Sequence, residues 1–147
     1  LAMSEPEASF SVRIVRWEEK ASLVRSVRTA VFIQEQQVPV ELEWDEFDET
    51  SVHILACDTR GQPVGTARLL PDGHIGRMAV IREWRGQGIG SAILKKVLKE
   101  MLDRGMPAAT LNAQVTAIGF YQKFGFQITG NEFMDADIPH VKMLLQL

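Results

Sequence analysis

The sequence predicts an α+β chain: a mixed, mostly antiparallel central sheet, helices on both faces, and one parallel βαβ unit. Three observations carry this. Val52–Asp58, Pro63–Leu70 and His74–Val80 are strand-like runs separated only by the turn-rich TRGQ and PDG, which makes an antiparallel meander. An amphipathic run from Ile89 to Leu102 leads into a further strand-like run, and strand–helix–strand implies a right-handed parallel crossover. GFQITGNEF (125–133) and PHVKMLLQL (139–147) read as a closing hairpin.

In chain order, FSVRIVR (Phe10 to Arg16) alternates apolar and polar residues and reads as the first strand. From Glu18 to Gln36, Ala21, Val24, Val27, Val31 and Phe32 fall on one helical stripe, and Pro39 stops the helix. The segment Glu41 to Glu49 is acidic and aperiodic, an exposed loop or a short helix. In the long helix, Ile89, Ile93, Leu94, Val97, Leu98, Met101 and Leu102 make a broad apolar face, closed by Gly105 and Pro107. AATLNAQ (Ala108 to Gln114) is a strand, and TAIGFYQKF (116–124) a short helix.

A chain of 147 residues is long enough for one core and short for two. One domain is expected over 4–147, with Leu1 and Ala2 ahead of Met3 read as a vector remnant. Net charge is −3 and no basic block stands out, which argues against nucleic acid as partner. Neither a signal peptide nor a membrane-length apolar run is read in the sequence, and Cys57 is the only cysteine, so a cytoplasmic, reducing setting is the expectation. Three scattered histidines and one cysteine give no metal-ligand spacing.

The chemistry concentrates in REWRGQGIGS, from Arg82 to Ser91. Gly86, Gly88 and Gly90 stand where a helix must begin, although glycine lowers helix stability. A helix start presents unpaired N–H groups and the positive end of the dipole, and glycines let an anion approach them closely. The pattern is therefore a diphosphate cradle, with Arg85 adding charge. No lysine precedes Ser91, so it is not a Walker loop, and the glycine spacing and IREW departs from a dinucleotide fingerprint.

Arg85-Gly86-Gln87-Gly88-Ile89-Gly90 fits Arg/Gln-x-x-Gly-x-Gly/Ala and resembles the acetyl-CoA pyrophosphate loop of the GNAT superfamily of N-acetyltransferases. GRMAV (Gly76 to Val80) looks like that superfamily's pantetheine-pairing strand, and LNAQVTAIGFYQKFGF (Leu111 to Phe126) like its second block. VFIQEQQVPVELEWDEFD, NAQ and DIPHVKM are similar to a small bacterial branch often called YjcF-like.

The resemblance implies a GNAT-like three-layer fold with the βαβ unit at the cofactor site. It implies direct transfer of the acetyl group of acetyl-CoA to a primary amine of a small molecule or an exposed protein amine. A catalytically silent acyl-CoA sensor is the alternative. Expected cofactor contacts are Met78, Ala79, Val80, Arg85 to Ser91, Asn112, Phe120 and Tyr121. Tyr121, the only tyrosine, is the expected acid for the leaving thiolate, unless its ring merely packs beside Phe120 and Phe124.

Backbone N–H groups near Met78 to Val80 would polarise the carbonyl, and Asn112 would hold the pantetheine arm or a catalytic water. Glu35 is the first choice of base, with His53, His74, His140 or a water chain as alternatives. Glu35, Glu41 and His140 are the expected acceptor contacts. The six acids between Glu41 and Glu49 either attract a cationic amine or form a solvated turn, and Trp44 and Phe47 could make an apolar lid or a dimer contact. Oligomeric state is open, a homodimer being common in such small domains.

Overall fold

A computed structural model describes residues 9–147; the expected remnant at 1–3 lies outside the described residues. β1 (Phe10–Val15), β2 (Val52–Asp58), β3 (Pro63–Leu69) and β4 (His74–Val80) pair antiparallel in succession, and β5 (Ala108–Gln114) joins β4 in parallel. β8 (Ile138–Gln146) runs antiparallel to β5 and carries the short β6 (Gln127–Ile128) and β7 (Phe133–Asp135) on its other edge. The helices are α1 (Trp17–Arg28), α2 (Val40–Glu43), α3 (Ile89–Asp103) and α4 (Ile118–Gln122).

Alternation along the strands assigns each side chain to one helix layer. In β2, His53 stacks on Trp17 of α1 with ring centroids 4.6 Å apart, while neighbouring Ile54 joins the cluster around α3. α3 buries Ile89, Ile93, Leu94, Val97 and Met101, each stabilising by roughly 1.5–3 kcal/mol before entropy is counted. Gly65 of β3 permits this packing, because a Cβ there would stand 2.8 Å from Ile93 Cδ1.

The first helix departs from expectation. After Arg28 the chain widens into a π-helical stretch, Thr29–Glu35, closed by Gln36 N–H donating to the Val31 carbonyl at 3.0 Å. The wider turn keeps Val31 and Phe32 together against Ala79 and Ile81. Gln37 then turns left-handed with φ of 59° before Pro39. The closing hairpin also differs: two short strands, β6 and β7, share β8, since the chain leaves the sheet between Thr129 and Glu132. Ala136 and Asp137, with φ of 50° and 61°, form the tight β7–β8 turn.

One irregularity positions the site. β4 and β5 pair only at His74 with Thr110 and at Ile75 with Leu111. Against β3, Arg77 and Met78 of β4 together oppose Ala67, and Arg77 has φ of 49°. This bulge turns β4 away from β5, so the parallel pair opens into a V.

Candidate active site

At the open end of the V, Gly86 and Gly88 are left-handed, with φ of 77° and 86°, and Gly88 is the N-cap of α3. No side chain caps the helix, and the first intrahelical backbone bond runs from Ala92 N–H to the Gly88 carbonyl at 3.0 Å. The N–H groups of Ile89, Gly90 and Ser91 therefore have no intrahelical acceptor, which suits an anion. They border a hollow of about 430 Å³ that β4 lines from Met78 to Val80 and α4 lines with Phe120 and Tyr121. A diphosphate with an extended arm fits this combination.

Of the expected loop contacts, Gly86, Gly88, Ile89, Gly90, Ser91 and Arg85 line the hollow, while Gln87 is exposed with its amide reaching the Glu83 carbonyl at 3.5 Å. Arg85 is drawn elsewhere: its Nε donates to the Val80 carbonyl at 2.9 Å, and Nη1 and Nη2 grip Glu35 at 2.7 and 2.5 Å. The hydrogen bond from Arg85 holds the Glu35 carboxyl below its ordinary value. Such a carboxylate suits holding Arg85 better than accepting a proton.

Tyr121 stands between this hollow and the cleft beyond it. Its ring packs edge-on against Phe120 and Phe126, and its hydroxyl donates to Met78 Sδ at 3.6 Å. Burial pushes its phenol up to about 12, so it carries its proton throughout the neutral range. The ring packs with its aromatic neighbours, while the hydroxyl stays outside those ring contacts.

The cleft beyond measures about 620 Å³. Asn112 and Gln114 of β5 and His140 of β8 line it, with Gln114 Nε2 donating to Gln36 Oε1 at 3.0 Å across the V. Glu41 is exposed on α2 and does not line the cleft. His53 is fully buried on Trp17, its Nε2 against the Asp48 carbonyl at 2.8 Å, far from any acceptor role. His74 also lines the cleft, at the end where β4 and β5 still pair, with Nδ1 3.4 Å from Thr110 Oγ1. Among the described residues no three His, Cys, Asp or Glu side chains gather to hold a metal.

The acidic segment divides: Glu41, Glu46 and Glu49 are exposed, and the other three acids turn inward. Glu43 and Asp48 are buried, and Asp45 is half-buried. Arg28, itself without exposed surface, donates to Glu43 Oε1 at 2.8 Å and Asp48 Oδ1 at 2.7 Å. Arg68 bridges Asp45 and Asp48 at 2.7 and 3.0 Å, and Arg77 reaches Glu43 and Asp45, both at 3.3 Å. Three guanidinium groups thus neutralise three carboxylates. Burial pushes the Glu43 carboxyl up against the pull of Arg77 and Arg28, whereas at Asp45 partial burial is outweighed by Arg68, the Phe47 N–H and Arg77 together, which hold its carboxyl down. Trp44 is no lid; its ring lies 5.0 Å from the Arg28 guanidinium and covers it.

Sequence reasoning missed this cluster because its arginines come from α1, β3 and β4, and no spacing joins them. It also missed Gln36, Gln114 and Asp135 as cleft residues. The three-for-three charge balance was the available signal, but only topology pairs it.

The comparisons agree with this geometry. Residues 18–147 match the family model described as acetyltransferase (GNAT) domain. The chain is 38% identical over 135 residues to the uncharacterized N-acetyltransferase YjcF of Bacillus subtilis, covering 89% of this chain and 96% of that protein. An acyl-CoA N-acyltransferase from Pseudomonas aeruginosa superposes with a TM-score of 0.83 at 26% identity, covering 92% of this chain and 99% of that one. Escherichia coli ElaA does so with a TM-score of 0.82 at 27% identity, covering 92% and 98%. No helix among the described residues is long and apolar enough to cross a membrane. The chain belongs to the GNAT family of acetyltransferases and is by class an acetyl-CoA-dependent acyltransferase.

Proposed function

We propose that the protein moves the acetyl group of acetyl-CoA directly onto a primary amine of a small molecule or an exposed protein amine. The observation that carries this reading is the V between β4 and β5, opening beside the uncapped start of α3. Acetyl-CoA supplies an activated acyl carbon on a thiol leaving group. The α3 amides hold its diphosphate, and the β4 edge from Met78 to Val80, unpaired with β5, receives the arm and polarises the carbonyl. Asn112 lies across the V as a further polar contact.

Tyr121 protonates the departing sulfur. Its hydroxyl already rests on a sulfur acceptor, Met78 Sδ, at the junction of the two hollows. A phenol pushed up to about 12 keeps its proton until charge develops on sulfur, and because a thiolate is the weaker base the transfer is coupled to return of a proton to the phenol oxygen. Glu35 serves as the counter-ion that orients Arg85 at the mouth of the cradle.

The test is thiol release from acetyl-CoA across a panel of primary amines, against amine-free hydrolysis as baseline. Release that rises with an amine supports transferase activity. Tight acetyl-CoA binding with no amine-dependent release would leave the sensor reading instead.

A further inference from the structure

The chemistry above leaves the incoming amine without a proton acceptor, and the β7–β8 hairpin supplies one. Register pairs Phe133 with His140 and Asp135 with Ile138, so these four side chains share one face of the hairpin. Asp135, Ile138 and His140 line the acceptor cleft. His140 Nδ1 lies 2.7 Å from the Ile138 carbonyl. A carbonyl only accepts, so Nδ1 carries the hydrogen, and in the neutral ring Nε2 is a lone pair. Nε2 has no hydrogen-bond partner among the described residues, and Phe133 stacks on the ring at 5.9 Å with 24° between planes.

The charges around this face are otherwise spent. Arg77, reaching the cleft from β4, is engaged by Glu43 and Asp45, and Arg85 is held by Glu35. Lys142, on the same face of β8, is exposed and outside the cleft lining. The Asp135 side chain, exposed at the cleft rim, has no ion pair or hydrogen bond among the described residues, so of the two lining carboxylates, Glu43 and Asp135, it is the one without a cationic partner. Phe32, Val38, Leu42 and Ile138 set an apolar patch into an otherwise polar lining.

Resting on the acetyl-transfer reading, we propose that Asp135 receives the acceptor as its ammonium form and His140 takes its proton. The acceptor class is then an apolar primary amine with no carboxylate beside its nitrogen. The ammonium gives one proton to His140 Nε2, and the freed lone pair attacks the thioester carbon to form the C–N bond. The C–S bond breaks, sulfur takes the Tyr121 hydroxyl proton, and the second nitrogen proton restores the phenol. Ammonium and thioester become amide and thiol, and the remaining proton passes from His140 to water.

Phenethylamine and L-phenylalanine are the matched probes, identical but for the carboxylate. Phenethylamine is expected to show a kcat/KM at least about tenfold higher, because the carboxylate meets Asp135. His140→Gln should lower kcat by about 10²-fold and remove the acid limb of the pH profile, with acetyl-CoA affinity unchanged. His140→Ala should regain activity with added imidazole, which a merely structural histidine would not allow. Asp135→Asn should raise the amine KM by up to roughly fivefold and leave kcat alone.

A preference for phenylalanine, with Arg77 taking its carboxylate, would overturn the substrate class. An intact acid limb in His140→Gln, or no rescue by imidazole, would overturn the base. Absence of thiol release with every amine, despite acetyl-CoA binding, would instead remove the transfer reading on which both depend.

Discussion

The two ends of the cleft are built by opposite means. The cofactor end comes mainly from one contiguous run, Arg82 to Ser91, with the strand just before it and α4 alongside, and the polar atoms the loop offers are backbone amides. The acceptor end takes side chains from the π-helical stretch and the turn after it, α2, β4, β5 and the β7–β8 hairpin, and rests on a largely buried six-member ion cluster. Backbone binding tolerates any sequence that keeps the loop's dihedral angles. Side-chain binding varies with each contributing segment, which is how one scaffold keeps its donor while its acceptor changes.

The difference can be broken by substitution, and the largest effect belongs to the acceptor end. Arg28→Ala strands Glu43 and Asp48 as buried, partly unpaired carboxylates, so unfolding free energy should fall by about 3–5 kcal/mol in denaturant titration. A loss below about 1 kcal/mol would mean that the cluster behaves like exposed ion pairs. At the cofactor end, Gly88→Asp forces a side chain into a left-handed residue and sets a carboxylate against the phosphates. Acetyl-CoA affinity by calorimetry should drop by more than about a hundredfold, or about 2.7 kcal/mol, and fold stability far less.

Tyr121→Phe separates chemistry from binding. It keeps the ring contacts with Phe120 and Phe126 and removes only the hydroxyl. Turnover should fall by about 10²-fold in the thiol-release assay while acetyl-CoA affinity stays unchanged. Equal rates with chemistry limiting would remove the acid role.

Much of the fold was legible because it is periodic. The meander, α3 and β5 follow directly from alternation and from the apolar stripe at 89, 93, 94, 97 and 101. The π-helical stretch was not legible, since Val31 and Phe32 fit an α-helical stripe equally well until Ala79 and Ile81 are placed against them. In the site, the cradle could be read from three glycines. The acid–arginine cluster could not, because a charge run reads as solvated until its partners, 15 to 34 residues distant in sequence, are brought to it. His140 was legible as an alternative base and an acceptor contact; its tautomer and its access to the cleft required the hairpin.

The smallest effect concerns the salt bridge that links the two ends. Arg85 holds the Glu35 carboxyl low, so this bridge contributes stability fully above the ordinary carboxylate value and loses it as pH falls through the lower folded value. The stability difference between wild type and Glu35→Gln should therefore persist at neutral pH and shrink below about pH 4. At pH 7, Glu35→Gln frees Arg85 towards the phosphates and should change acetyl-CoA affinity by no more than roughly fivefold.

The most direct measurement is a crystal structure with acetyl-CoA. The diphosphate should accept hydrogen bonds from amides between Gly86 and Ser91, with the arm along Met78 to Val80 and sulfur beside the Tyr121 hydroxyl. A ligand seated away from the start of α3, or a thioester lying outside the V between β4 and β5, would contradict the account.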